Sequence, residues 1–144
     1  MKNKIIKSIA TTLLLSLIFS QAIFAASRTG TVTTTLPYGG YMKQSITEVP
    51  RTGNYSYMTI QVNCVTPPIG SGITDNYEMA KFRLYSSVLA NTPVSDIATI
   101  SETATTAKKI YFMEGTLSMR KFDICVAGNN PNLAGVVTYA YDGK

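Results

Sequence analysis

The chain has 144 residues, with 13 Lys or Arg, eight Asp or Glu, and no His. Without His, neither a Ser-His-Asp triad nor a zinc tetrahedron completed from two Cys can be built. The carboxylates are scattered, so we expect no enzyme activity and no catalytic, metal or cofactor site.

The first 25 residues have the order of a secretory signal peptide. Lys2, Lys4 and Lys7 precede the apolar run "SIATTLLLSLIFS", and small residues follow it. The run is shorter than the roughly 20 residues that span a bilayer, which favours cleavage after Ala25 over an uncleaved anchor. This predicts a secreted, extracellular protein, with a signal of bacterial appearance, whose residues 26–144 form a single domain.

The charge of that domain argues against nucleic acid as a partner. Once the three signal-peptide lysines are removed, ten basic and eight acidic residues remain, a net charge of +2. A nearly neutral domain without a long basic run lacks the electrostatic footprint of nucleic-acid binding.

Thr, Ser, Tyr and Val dominate the rest of the chain, a composition that favours strands. We predict strands at 28–36, 41–49, 55–65, 77–89, 97–105, 108–113, 116–128 and 136–142. "PYGG" is a turn into a return strand, 66–76 is a loop, and 108–113 with 116–128 resembles a hairpin. A short helix is the alternative at 77–89, and a Thr-rich loop at 97–105.

Seven or eight short strands at regular spacing predict an all-β fold. We expect an antiparallel β-sandwich of Greek-key or jelly-roll type, with a small barrel as the alternative.

The strand at 55–65 alternates most clearly. One side carries Ser56, Met58, Ile60, Val62 and Cys64, which we assign to the core. The other side carries Tyr55, Tyr57, Thr59, Gln61 and Asn63. Tyrosines beside hydrogen-bonding side chains predict a binding face. The alternative is that a second sheet or a loop covers these residues.

Cys64 and Cys125 are the only cysteines. In a secreted chain, two cysteines predict one disulfide. Strict alternation conflicts with this pairing, because it turns Cys64 toward the core and Cys125 to the face of Lys121 and Asp123. A β-bulge between Arg120 and Cys125 would reconcile the two, as would strands covered on both faces. Otherwise one or both thiols are free.

These features predict a non-catalytic protein in a binding, structural or assembly role at or outside the cell surface. The expected partner is a cell-surface glycan or protein, with self-association through an open edge strand as a further mode. The alternative is a small toxin or bacteriocin-like effector that acts on membranes, because "TVTTTL" and "SETATT" resemble pore-forming hairpin segments.

Overall fold

The computed structural model describes residues 29–51, 53, 55–67, 78–89, 91–130 and 132–143. The predicted signal peptide and most of the predicted loop at 66–76 lie outside these residues. The strands are β1 (Thr29–Leu36), β2 (Lys43–Pro50), β3 (Tyr57–Thr66), β4 (Met79–Ser86), β5 (Ala98–Ser101), β6 (Lys108–Tyr111), β7 (Lys121–Gly128) and β8 (Gly135–Asp142).

The fold is all-β, as the sequence predicted. Among the described residues the single helical element is a 3-10 turn, Tyr38–Gly40, in which both glycines have positive φ. No helix in this part of the chain is long and apolar enough to cross a bilayer. The segment at 77–89, for which a short helix was the alternative, contains strand β4.

The strands form two antiparallel four-stranded sheets. Sheet A has the order β1-β8-β3-β6, and sheet B has the order β2-β7-β4-β5. β4 and β5 are the one pair of described strands that are consecutive in the chain and also hydrogen-bonded neighbours. Every other connection between these strands therefore passes from one sheet to the other.

This topology contradicts the two predicted hairpins. β1 pairs with β8 and β2 with β7, so the turn after β1 leads into the other sheet. Likewise β6 pairs with β3, whereas β7 pairs with β2 and β4. Residues 112–120 connect the two sheets through two successive turns, in which Thr116 N–H donates to the Met113 carbonyl and Met119 N–H donates to the Thr116 carbonyl, and they do not join a hairpin.

Both sheets contribute to one hydrophobic core. The buried side chains alternate along β3, as Met58, Ile60 and Val62 show, whereas β7 is buried on both faces after Lys121. Across the sheets, the ring of Phe82 packs edge-on against Tyr139, with centroids 5.0 Å apart. The Tyr139 hydroxyl lies 2.7 Å from Ser45 Oγ on β2. A buried tyrosine thus keeps its polar tip hydrogen-bonded.

The predicted disulfide is wrong, since Cys64 and Cys125 are both unbonded thiols. The register between β3 and β8 shifts between Val62 and Cys64, and this irregularity turns Cys64 to the exposed side. Val65 resumes the core face in its place. The bulge therefore lies in β3 and not before Cys125, and the cysteines end on the outer faces of different sheets.

Candidate functional site

Three tyrosines meet on the outer face of sheet A, the face directed away from the core. Tyr57 on β3 lies directly opposite Tyr111 on β6, with ring centroids 5.8 Å apart. Tyr55, just before β3, places its ring 6.0 Å from that of Tyr57. We call Tyr55, Tyr57 and Tyr111 the tyrosine cluster.

The outer tyrosines of the cluster are open to solvent. Tyr55 is 54% exposed and Tyr111 is 59% exposed, whereas Tyr57 between them is half-buried. Lys109 Nζ lies 4.4 Å from the centroid of the Tyr57 ring. This cation–π contact holds the central ring, and leaves the flanking rings available to a ligand.

A buried arginine fixes the backbone at Tyr55. Arg51 is 8% exposed, and its guanidinium donates hydrogen bonds to the carbonyl oxygens of Tyr55 and Leu117. Its Cζ lies 4.7 Å from the ring centroid of Phe112. Burial lowers the pKa of Arg51. Phe112 N–H also donates to the Ser56 carbonyl at 2.8 Å. The backbone that carries Tyr55 is therefore fixed by hydrogen bonds from Arg51 and Phe112.

A shallow groove of about 470 Å³ lies beside the cluster on sheet A and begins at Thr59, the residue that follows Tyr57 on the outer face of β3. Its lining includes Thr31, Thr59, Gln61, Ala107, Ala140 and Asp142. Ala140 pairs with Thr31 on one side and Gln61 on the other, so a small side chain sits between longer ones. Thr31, Thr59 and Gln61 offer hydroxyl and amide groups to a polar ligand.

The structure brings together four of the five residues predicted as a binding face. Tyr55, Tyr57, Thr59 and Gln61 share the outer face of sheet A, and within the described residues no second layer covers them. Asn63 is exposed as well, but it lies within the register shift of β3. The regular row therefore ends at Gln61.

Two residues of the site were not predicted from the sequence. Tyr111 and Lys109 come from β6, which pairs with β3 at Tyr57 and Thr59. The alternation of "KKIYFM" indicates that these residues share a face. Nothing in the local pattern indicates that this face adjoins β3.

A second polar group lies on the outer face of sheet B, around Asp123, which is 9% exposed. Asp123 Oδ2 accepts from Gln44 Nε2 at 2.5 Å, and Oδ1 accepts from Ser87 Oγ at 2.5 Å and Glu48 N–H at 2.8 Å. Burial, and then the Asp123 charge, raise the pKa of Cys125 to about 11. A thiol held protonated is a poor nucleophile, so we interpret this group as a structural brace.

The chain matches no protein-family model, no curated protein and no solved structure. Within the described residues no group of three or more His, Cys, Asp or Glu side chains is arranged to hold a metal ion.

Proposed function

We propose that the protein is an exported, non-catalytic binding domain that acts at or outside the cell surface. In this proposal the signal peptide is removed after Ala25, and residues 26–144 form one jelly-roll β-sandwich. The strand orders β1-β8-β3-β6 and β2-β7-β4-β5, with a core shared by both sheets, support that architecture.

The tyrosine cluster is the observation that carries the functional proposal. Three tyrosines on one face combine apolar area with hydroxyl groups, and tyrosine is enriched among residues that dominate binding energy. The backbone at Tyr55 is already held by Arg51. Binding therefore loses little conformational freedom at this point, which favours affinity.

The expected partner is a glycan or a protein of the cell surface. Tyr55 and Tyr111 offer exposed ring area for a sugar ring or an apolar side chain, and the adjoining groove offers hydrogen-bonding groups. The alternative, a membrane-active toxin, needs a hairpin that detaches and inserts. β1 is held in register by β8 over all eight of its residues, which gives that alternative no specific support.

Co-sedimentation with whole bacterial cells tests the proposal. The chain, purified as its host processes it, is compared with Tyr55→Ala/Tyr57→Ala and with the control Tyr38→Ala/Tyr41→Ala. Tyr38 and Tyr41 are 68% and 76% exposed. They follow β1, at the opposite end of sheet A from the cluster. The control therefore removes two exposed rings from another place, whereas the cluster variant removes one exposed ring, Tyr55, and the half-buried ring of Tyr57.

We expect the cluster variant to lose affinity for cells by at least about tenfold, and the control variant to sediment as the wild type does. Loss of binding after protease treatment of the cells would identify a protein partner, and loss after periodate would identify a glycan. Equal binding by both variants would refute the role of the cluster, and a wild type that never sediments would refute surface binding.

A further inference from the structure

The edge strands of the two sheets are not equally protected. An edge strand presents unpaired backbone N–H and C=O groups, and proteins commonly shield such edges with charges, bulges, prolines or short strands. The edges are β1 and β6 in sheet A, and β2 and β5 in sheet B.

Three of these edges carry such devices. β5 and β6 are four residues long, and β6 begins with Lys108 and Lys109. Lys108 Nζ also donates to the Thr99 carbonyl of β5 at 2.9 Å, which ties these two edges together. β2 has two register shifts, places Glu48 at φ 52° and ends at Pro50.

β1 lacks these devices. It is eight residues long, "TGTVTTTL", with no charge and no proline. All eight residues pair with β8 in an unbroken register. Within the described residues no strand pairs with its other side. Because successive residues of an antiparallel strand direct their backbone groups to alternate sides, about half of them face this edge.

We propose that β1 pairs antiparallel with β1 of a second copy of this chain, which joins the two A sheets into one continuous sheet across a two-fold axis. The inference stands on the edge strands and does not depend on the proposed binding function. A two-fold pairing brings each side chain opposite another from the same strand, so it requires a strand without charge repulsion. β1 meets that requirement, whereas β6 would bring lysines together.

The side chains of β1 also suit self-pairing. Thr31, Thr33 and Thr35 lie on the outer face, and Thr33 Oγ1 already lies 2.9 Å from Thr138 Oγ1 of the neighbouring strand. With Thr33 opposite Thr33, Thr31 meets Thr35, and the same pairing of hydroxyls continues across the new interface. Threonine pairs are favourable cross-strand neighbours.

The surroundings of β1 allow a second copy to approach. Lys43 Nζ donates to Thr35 Oγ1 at 2.6 Å, so this lysine lies at one end of β1. Antiparallel pairing places the two copies of Lys43 at opposite ends of the new interface, far from each other.

Sedimentation equilibrium over increasing protein concentration tests this pairing, using the chain purified as its host processes it. The decisive variant is Thr33→Lys, which places like charges at the centre of the interface. Thr138→Lys is the matched control, because it adds the same charge to the same face and breaks the same hydroxyl pair, one strand away from the edge.

We expect the wild type and Thr138→Lys to approach twice the monomer mass as the concentration rises, and Thr33→Lys to dimerise at least about tenfold more weakly. A wild type that stays monomeric up to about 1 mM, or equal weakening by both lysines, would overturn the proposal. Masses beyond the dimer would also overturn it, because a two-fold contact closes.

Hydrogen exchange of the wild type provides a second measurement that needs no substitution. We expect the β1 amides that face the edge to exchange more slowly at high protein concentration, while exposed amides of the β6–β7 connection keep their rates. Unchanged exchange of β1 at concentrations where the mass doubles would place the interface elsewhere and overturn the pairing.

Discussion

Asp123 makes the sharpest prediction about stability, because one buried carboxylate on β7 connects to two other segments, β2 and the residues after β4. It accepts from Gln44 of β2, from the backbone N–H of Glu48 and from Ser87 after β4. A hydrogen bond to a charged group contributes about 1.5–3 kcal/mol. Gln44 is exposed and Ser87 is half-buried, so water replaces part of the loss. We expect Asp123→Ala to cost about 3 kcal/mol.

Asp123→Asn removes the negative charge but keeps one acceptor oxygen, so it distinguishes the contribution of the charge from that of the hydrogen bonds. Two of the three donors contact the same oxygen, Oδ1, which an amide oxygen replaces. The third donor, the exposed amide of Gln44, can rotate and present its own oxygen to the new NH₂ group. We therefore expect Asp123→Asn to cost about 1 kcal/mol, the net value of one hydrogen bond.

Urea unfolding measures both costs as shifts in midpoint at constant slope. Glu114→Ala removes an exposed carboxylate from the β6–β7 connection and is the control, expected within about 0.5 kcal/mol of the wild type. The reasoning would fail if Asp123→Ala cost less than about 1 kcal/mol, or if the Asn and Ala variants were equally unstable.

The two thiols and a buried phenol give the remaining predictions. In the native protein at pH 8, a thiol reagent should label Cys64, which is exposed, and spare Cys125, which is 8% exposed with a pKa raised to about 11; equal labelling without denaturant would contradict this. Burial likewise raises the pKa of Tyr139 from 10.0 to about 12. Both groups have a higher pKa in the folded protein than in the unfolded chain. Such a group contributes its full stabilisation below its unfolded-state pKa, and this contribution is lost as the pH rises through its folded-state pKa. The free energy of unfolding should therefore fall above about pH 9 and fall less steeply in Cys125→Ala; a flat profile to pH 11 would contradict the burial of both groups.

The positions of the strands follow from the sequence because alternation is a local property. Met58, Ile60 and Val62 are buried as their spacing predicts, and Phe122, Ile124 and Val126 are buried on β7. The core face of each strand is set by the alternation within that strand, so no knowledge of the neighbouring strands is needed to find it; that β7 is buried on its other face as well does not follow from this pattern.

The partners of the strands could not be predicted, because pairing is a long-range property. The turn signals at 37–40 and 114–115 favour hairpins, yet both connections pass between sheets. Tyr111 was consequently missed, since β6 reaches β3 from about 50 positions along the chain. The prediction of the topology and the prediction of the site were therefore incomplete for the same reason: strand pairing could not be read from the sequence.

The bulge in β3 was missed for a different reason. One inserted residue changes the face of everything after it, and "QVNCV" carries a single hint, the apolar Val65 directly after Cys64. Val65 is buried and Cys64 is exposed. An apolar residue that breaks alternation next to a cysteine should therefore be weighed before a disulfide is assigned.

The most direct test of the binding face is oxidative footprinting of the tyrosines, with and without bacterial cell envelopes. Tyr55 and Tyr111 report on the cluster, and Tyr38 and Tyr41 are exposed tyrosines at the other end of sheet A. The binding proposal predicts that envelopes slow the oxidation of Tyr55 and Tyr111 and leave Tyr38 and Tyr41 unchanged. Unchanged oxidation of all four tyrosines, when the protein sediments with the envelopes, would contradict it.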